Sequence, residues 1–336
     1  MGPSATPLVV CLGEALVDRL GPLGGDPAVA WEDHLGGAPA NVACALARLG
    51  TPSAFIGRLG RDAIGAAFAQ LFADRGVDQR ALQWDPQRPS RVVLVRRDAR
   101  GERQFQGFAG GASAGFADQA LAAGELSAAH GLLQAPARWL LLGTLALAAP
   151  ASAQAAQQAV LQAAAAGLAI AVDVNWRPTF WDSAADPAAA PTASQGQRLL
   201  PLLQQANVLK CTREEAQWLF GSGDPLVVSA ALPRRPLVVV TDAERTLRWG
   251  RAPLVGSLQP FAVAAIDSTG AGDAVTAGLL HALCLDPLLL ASSDPRRWTE
   301  AMRLASACGA LVCLGAGAIN PQPSFEQVSD FLRQQT

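Results

Sequence analysis

Asp267-Ser268-Thr269-Gly270-Ala271-Gly272-Asp273 passes directly into Ala274-Val275-Thr276-Ala277-Gly278-Leu279-Leu280, so small residues give way to an apolar helical pattern. This change predicts a helix N-terminus at Gly270–Gly272, where the first backbone N–H groups have no intrahelical acceptor. Such an end carries partial positive charge and suits a phosphate or a developing anion. Asp273 adds a carboxylate at the same point. A proton acceptor for a hydroxyl beside a cradle for phosphate is what phosphoryl transfer to an alcohol requires. The same residues also fit a helix-capping aspartate with glycines that only turn the chain, and this segment alone leaves both readings open.

A second segment, Gly36-Gly37-Ala38-Pro39-Ala40-Asn41, opens an earlier helix. Its two glycines permit close approach of a ligand to the backbone, and Asn41 offers both a donor and an acceptor to hydroxyls. A glycine-rich cap with proline in the first turn is the plainer alternative.

The elements that must position these segments alternate along the chain. Leu8–Cys11, Ser53–Ile56, Trp139–Leu142, Ala169–Val174, Val208–Lys210 and Leu237–Thr241 read as strands. Helices are predicted over Pro39–Leu49, Ile64–Arg75, Ala151–Ala166, Pro295–Cys313 and Ser324–Arg333, after Thr212, and after Asp273. Thr212-Arg213-Glu214-Glu215 is a capping box. The order implies a mostly parallel central sheet with helices on both faces. Two stretches break the rhythm. Residues 19–35 are rich in Gly and Pro, and residues 91–108 alternate about a turn at Asp98-Ala99-Arg100-Gly101, a hairpin signature. Together they predict a small antiparallel β lid, discontinuous in sequence (about 19–35 and 88–110), on a single domain spanning residues 1–336.

With 336 residues, 50% hydrophobic and 16% charged, the chain has material for a large core. A net charge of −2 gives no electrostatic case for nucleic acid or an anionic membrane. The apolar run at Leu8–Leu12 is too short for a membrane span and reads as a strand. Six scattered cysteines without a CxxC pair argue against zinc and for reduced, buried thiols in a cytoplasmic protein.

Taken together, the two glycine-containing motifs, in this order and far apart, resemble the signatures of the ribokinase-like, or PfkB, family of carbohydrate kinases. The similarity runs from Val9 to about Phe325. Within the family the chain is most similar to fructokinases, through Gly13-Glu14-Ala15-Leu16-Val17-Asp18, Asp173-Val174-Asn175-Trp176-Arg177-Pro178 with Trp181, and Ala305-Ser306-Ala307-Cys308-Gly309-Ala310. The resemblance implies a ribokinase-like α/β fold and an ATP-dependent sugar kinase that uses Mg²⁺ and acts on fructose.

By the same resemblance, Asp18, at the end of the first strand, would accept hydrogen bonds from sugar hydroxyls, with Gly36, Gly37, Asn41 and Arg177 lining the sugar site. Asp273 would be the catalytic base, and the amides of Gly270, Ala271 and Gly272 the anion hole. Asn175, Arg177, Lys210 and Thr241 would face the nucleotide. Asp267 and Thr269 match positions that hold a monovalent cation, commonly K⁺, although a turn-capping role suits them equally. An exposed lid edge would allow a homodimer.

Some positions depart from the family. A frequent Thr-x-Gly-x-x-Gly reads Thr241-Asp242-Ala243-Glu244-Arg245-Thr246 here, and an Asn-x-x-Glu element linked to magnesium would align with Lys210 and Arg213. The rival readings are a kinase of the same fold for 2-keto-3-deoxygluconate, another sugar or a nucleoside, and a catalytically weak relative that binds sugar or nucleotide. Arg96 and Arg97 on the lid would suit an acidic substrate; the absence of tyrosine favours a neutral hexose.

Overall fold

The computed structural model describes residues 6–25, 30–97, 103–110, 115–126, 129 and 131–335. The expected turn at Asp98–Gly101 lies outside them, as do residues 26–29 of the Gly/Pro-rich stretch. Thirteen strands are described: β1 Val9–Leu12, β2 Leu16–Leu23, β3 Glu32–Gly36, β4 Ser53–Gly60, β5 Leu82–Asp85, β6 Arg91–Arg97, β7 Arg103–Ala109, β8 Trp139–Gly143, β9 Ala169–Asp173, β10 Val208–Thr212, β11 Leu237–Thr241, β12 Leu247–Arg251 and β13 Leu254–Leu258. Nine form one sheet in the order β13-β12-β11-β10-β9-β8-β1-β4-β5. Every pairing from β5 to β10–β11 is parallel. The strands β12 and β13 add an antiparallel edge that the sequence patterns had not indicated.

Helices cover both faces: α1 Ala38–Arg48, α2 Ala63–Arg75, α3 Pro150–Ala165, α4 Pro178–Trp181, α5 Ala193–Leu203, α6 Arg213–Phe220, α7 Pro225–Ala230, α8 Ala271–Leu285, α9 Pro295–Val312 and α10 Phe325–Gln334. Strand periodicity divides the core between the faces. Val9 and Cys11 of β1 join α1, α2, α8, α9 and α10 in one apolar cluster. Val10 and Leu12 join α3, α5, α6 and α7 in the other. All six cysteines are free and buried in these layers.

A second sheet, β3-β2-β6-β7, is built from the two stretches that break the rhythm of the sequence. Its outer pairings are antiparallel, but β2 and β6 run parallel. The sheet rests on Leu16, Leu20, Val93 and Val95, with Phe105, Phe108 and Phe180 packed against them.

Asp18 does not end the first strand. β1 stops at Leu12, and Asp18 lies within β2, opposite His34 of β3. The physical reason is Gly13 (φ 152°), which changes the chain direction between the two sheets, followed by the buried Glu14. Chain order in the main sheet reverses around β1, which lies between β4 and β8. Open α/β sheets bind ligands beyond the carboxyl ends of their strands at such a switch point.

Candidate active site

α1 starts where it does because of Gly37 and Glu14. Gly37 has φ 103°, and a Cβ there would lie 2.6 Å from the Glu14 carbonyl oxygen, so only glycine fits. The Glu14 side chain in turn accepts the Ala38 N–H at 3.0 Å, which satisfies one amide of the first turn. Burial pushes the Glu14 carboxyl up to about 8, against the lowering effect of its backbone hydrogen bonds.

One turn along α1, Asn41 donates from Nδ2 to Oδ2 of Asp273 at 2.7 Å. Asn41 is 4% exposed, its Oδ1 has no partner, and its carbonyl accepts from Gln322 at 2.9 Å. Asp18 closes the group. A Cβ on Gly36 would sit 3.0 Å from Asp18 Oδ2 and 3.9 Å from Asn41 Oδ1. Asp18, Gly36, Gly37, Asn41 and Asp273 therefore surround one point, drawn from the small sheet and the first turns of two helices.

The start of α8 is equally constrained. Gly270 is the N-cap with φ 77°, and a Cβ there would come within 2.6 Å of Ala318 Cβ. Asp267 fixes the preceding turn: Oδ1 accepts the Thr269 N–H (2.9 Å) and hydroxyl (2.7 Å), and Oδ2 accepts the Gly317 N–H (2.9 Å). The Ala271 N–H donates to Ser268 (3.2 Å) and that of Ala274 to Gly270 (2.8 Å), which leaves Gly272 and Asp273 as first-turn amides outside the helical ladder. Burial first, and then Asp173, push the Asp273 carboxyl up to about 6, while Lys210, the Asn41 hydrogen bond and Arg177 act in the opposite direction.

Beneath this turn lies an ion pair that the sequence patterns had not indicated. Lys210 Nζ is 3.1 Å from both oxygens of Asp173, and Thr276 Oγ1 donates to Asp173 at 2.9 Å. All three side chains are buried. A Cβ on Gly272 would lie 2.8 Å from Lys210 Nζ, so glycine lets the helix start rest directly on the ammonium. The sequence signals were present in retrospect, since Asp173 closes an apolar strand and Lys210 is a charged residue inside one.

The remaining nucleotide candidates lie at strand ends. Asn175 follows β9 in the left-handed region (φ 43°), which asparagine tolerates. The Arg177 side chain is exposed and donates to the Trp176 carbonyl (2.8 Å). Thr241 ends β11, half-buried. Ala243, at the first glycine position of the family pattern, adopts φ 49°. The turn therefore keeps a glycine-like backbone without the glycine. Glu215 is committed to structure: its oxygens accept the Trp176 and Thr212 N–H groups, both at 2.7 Å. Among the described residues no three His, Cys, Asp or Glu side chains are grouped to hold a metal.

Comparison with known proteins places this geometry in context. The model of the pfkB family carbohydrate kinases matches residues 6–324. A probable fructokinase-7 of Arabidopsis thaliana is 33% identical over 333 residues, covering 97% of this chain and 92% of the relative. The structure of a fructokinase from Xylella fastidiosa with bound ATP aligns with a TM-score of 0.82 at 27% identity, covering 97% of this chain and 98% of the other. A fructokinase from Vibrio cholerae O395, in a form with fructose, ADP and calcium bound, aligns with a TM-score of 0.78 at 28% identity, covering 97% and 99%.

Proposed function

The chain belongs to the pfkB family of carbohydrate kinases, and from that premise we propose that it transfers the γ-phosphoryl group of ATP to a hydroxyl of fructose, with Asp273 as the general base. The observation that carries this reading is the meeting of Asp273 with Asn41 at the open first turn of α8. Asp273 takes the hydroxyl proton as that oxygen attacks the γ-phosphorus. The new O–P bond forms as the bond to the β-phosphate oxygen breaks, and ADP leaves. The amide of Gly272, with Gly270 and Ala271 shaping the turn, faces the charge that develops on the transferring group.

Asp18, Gly36, Gly37, Asn41 and Arg177 are assigned to the sugar. Asn175, Arg177 and Thr241 are assigned to the nucleotide. Among the described residues no three His, Cys, Asp or Glu side chains are grouped to hold a metal alone, which suits a Mg²⁺ carried on the ATP phosphates, where it would supply charge neutralisation. A monovalent cation such as K⁺ is assigned to Asp267 and Thr269, whose hydrogen bonds already hold the turn. The small sheet acts as the lid, bringing Asp18 over the site and excluding water. Its exposed Trp31, near Arg19, Asp33 and Leu94, offers a surface for a second copy. Six free thiols suit a reducing compartment such as the cytoplasm, and no helix among the described residues is long and apolar enough to cross a membrane.

The test is ADP release by the purified protein over a panel of fructose, other hexoses, ribose, a keto-deoxy acid and nucleosides, with and without Mg²⁺ and K⁺. Fructose-dependent, Mg²⁺-dependent turnover is expected. Thermal stabilisation by sugar or ATP without turnover would replace the kinase reading with that of a binding protein.

A further inference from the structure

The family resemblance sends Lys210 to the nucleotide phosphates, yet its geometry points elsewhere. The ammonium is buried, faces both oxygens of Asp173, and lies beneath Gly272, on the inner side of the helix start. A direct phosphate contact would have to share a buried ammonium, two of whose three N–H donors already face Asp173. We propose that Lys210 is a positioning residue that acts through Asp273 and the first turn of α8: a fixed buried countercharge, oriented by Asp173 and Thr276, that keeps the base ionised beneath the anion hole without touching nucleotide. The inference rests on the kinase reading above.

The charge inventory around Asp273 supports it. Glu14 precedes β2, Asp18 lies on β2, Asn41 is on α1, Asp173 ends β9, Arg177 follows β9 and Lys210 lies on β10. Carboxyl groups outnumber cations there, and Lys210 is the buried cation of the set while Arg177 is exposed. Burial works to lower Lys210, but Asp173, then Glu215 and Asp273, outweigh it and hold its ammonium above the ordinary lysine value. A cation that stays charged when dehydrated acts on a neighbouring carboxylate through a low-dielectric medium, where the interaction is stronger than in water. Thr276 Oγ1, bonded to Asp173, also accompanies the Gly272 carbonyl at 3.1 Å, so pair and helix turn are held as one unit.

The experiment follows the titration of the Asp273 carboxyl by ¹³C NMR in the unliganded protein, assigned by its loss in Asp273→Asn, beside the pH profile of kcat/KM. In Lys210→Met the Asp273 titration and the acid limb should both move up by about one pH unit, and kcat should fall at neutral pH. In Asp173→Asn the ammonium remains beside Asp273 and Glu215, and both should move down. Either variant decides alone if the other does not fold. A purely structural role gives no opposed shifts, and movement of both variants in one direction, or of neither, overturns the proposal. So does a rise of about tenfold or more in the KM for ATP in Lys210→Met with the Asp273 titration unmoved, which would return Lys210 to the phosphates. The NMR titration remains readable even if no sugar is phosphorylated, so failure of the kinase reading shows separately as absent turnover in the wild type.

Discussion

Asn41 Nδ2 lies 2.7 Å from Asp273 Oδ2, although 232 residues separate them in the chain. That hydrogen bond joins the two glycine-containing motifs into one site. It also orients the carboxylate, and in the proposed reaction the other oxygen takes the proton of the substrate hydroxyl. Gln322 holds Asn41 from behind through the Asn41 carbonyl, and the same loop reaches Asp267 through the Gly317 N–H. A single connection after α9 thus braces both halves.

Because burial first, and then Asp173, raise Asp273 to about 6, kcat/KM should show an acid limb near that pH. The base works only when ionised, so activity is full above the limb and falls about tenfold per unit below it. A pH profile at saturating Mg-ATP and varied fructose reads this directly. A limb near 4, the ordinary carboxylate range, would mean that Asp273 is not the titrating group.

Glu14 makes a separate prediction about stability. Its carboxyl sits near 8 in the folded chain against 4.5 as the reference value, chiefly through burial. Between those values the folded state holds a proton that the unfolded state has released. Stability must therefore fall as pH rises through this window, by up to about 1.4 kcal/mol per pH unit for one proton. Glu14→Gln keeps an acceptor for the Ala38 N–H and removes the titration. Urea unfolding from pH 5 to 9 should show the wild type losing stability relative to the variant; parallel curves would contradict the assignment.

The fold was largely legible because most strands and helices announce themselves locally. Trp139–Gly143 and Ala169–Asp173 are short apolar runs, and Pro295–Val312 is a long helix with a clear start. What stayed hidden depends on distant partners. Leu247–Arg251 and Leu254–Leu258 are strands only because β11 offers an edge to pair with. The placement of Asp18 in the second sheet depends on the parallel pairing of β2 with β6, residues 16–23 against 91–97. Asp273 and Asn41 were visible as motif residues. Lys210 was placed toward the nucleotide by the family resemblance, but its pairing with Asp173 and the part played by Glu14 were not visible, since no local pattern shows which charged residues end up buried together.

Arg91, at the start of β6, is another residue whose buried partners no local pattern shows. It makes a two-pronged ion pair with Asp118 at 2.8 and 3.0 Å. Its guanidinium also lies 4.4 to 4.8 Å from the ring centres of Phe108, Phe116 and Phe180. Those rings come from β7, from the segment after it, and from α4, which follows Arg177 directly. Arg91→Met leaves Asp118 buried without its partner, and urea denaturation should show a loss of about 3–5 kcal/mol. A loss below about 1 kcal/mol would place the pair among weak surface ion pairs.

The most direct measurement compares fructose-dependent ADP formation by the wild type and by Asp273→Asn, with Mg-ATP saturating and both proteins shown to be folded by circular dichroism. With Asp273 as the base, the wild type turns over and the variant shows a kcat about two to four orders of magnitude lower, as expected for loss of a general base. Turnover in Asp273→Asn within a few fold of the wild type would contradict that assignment.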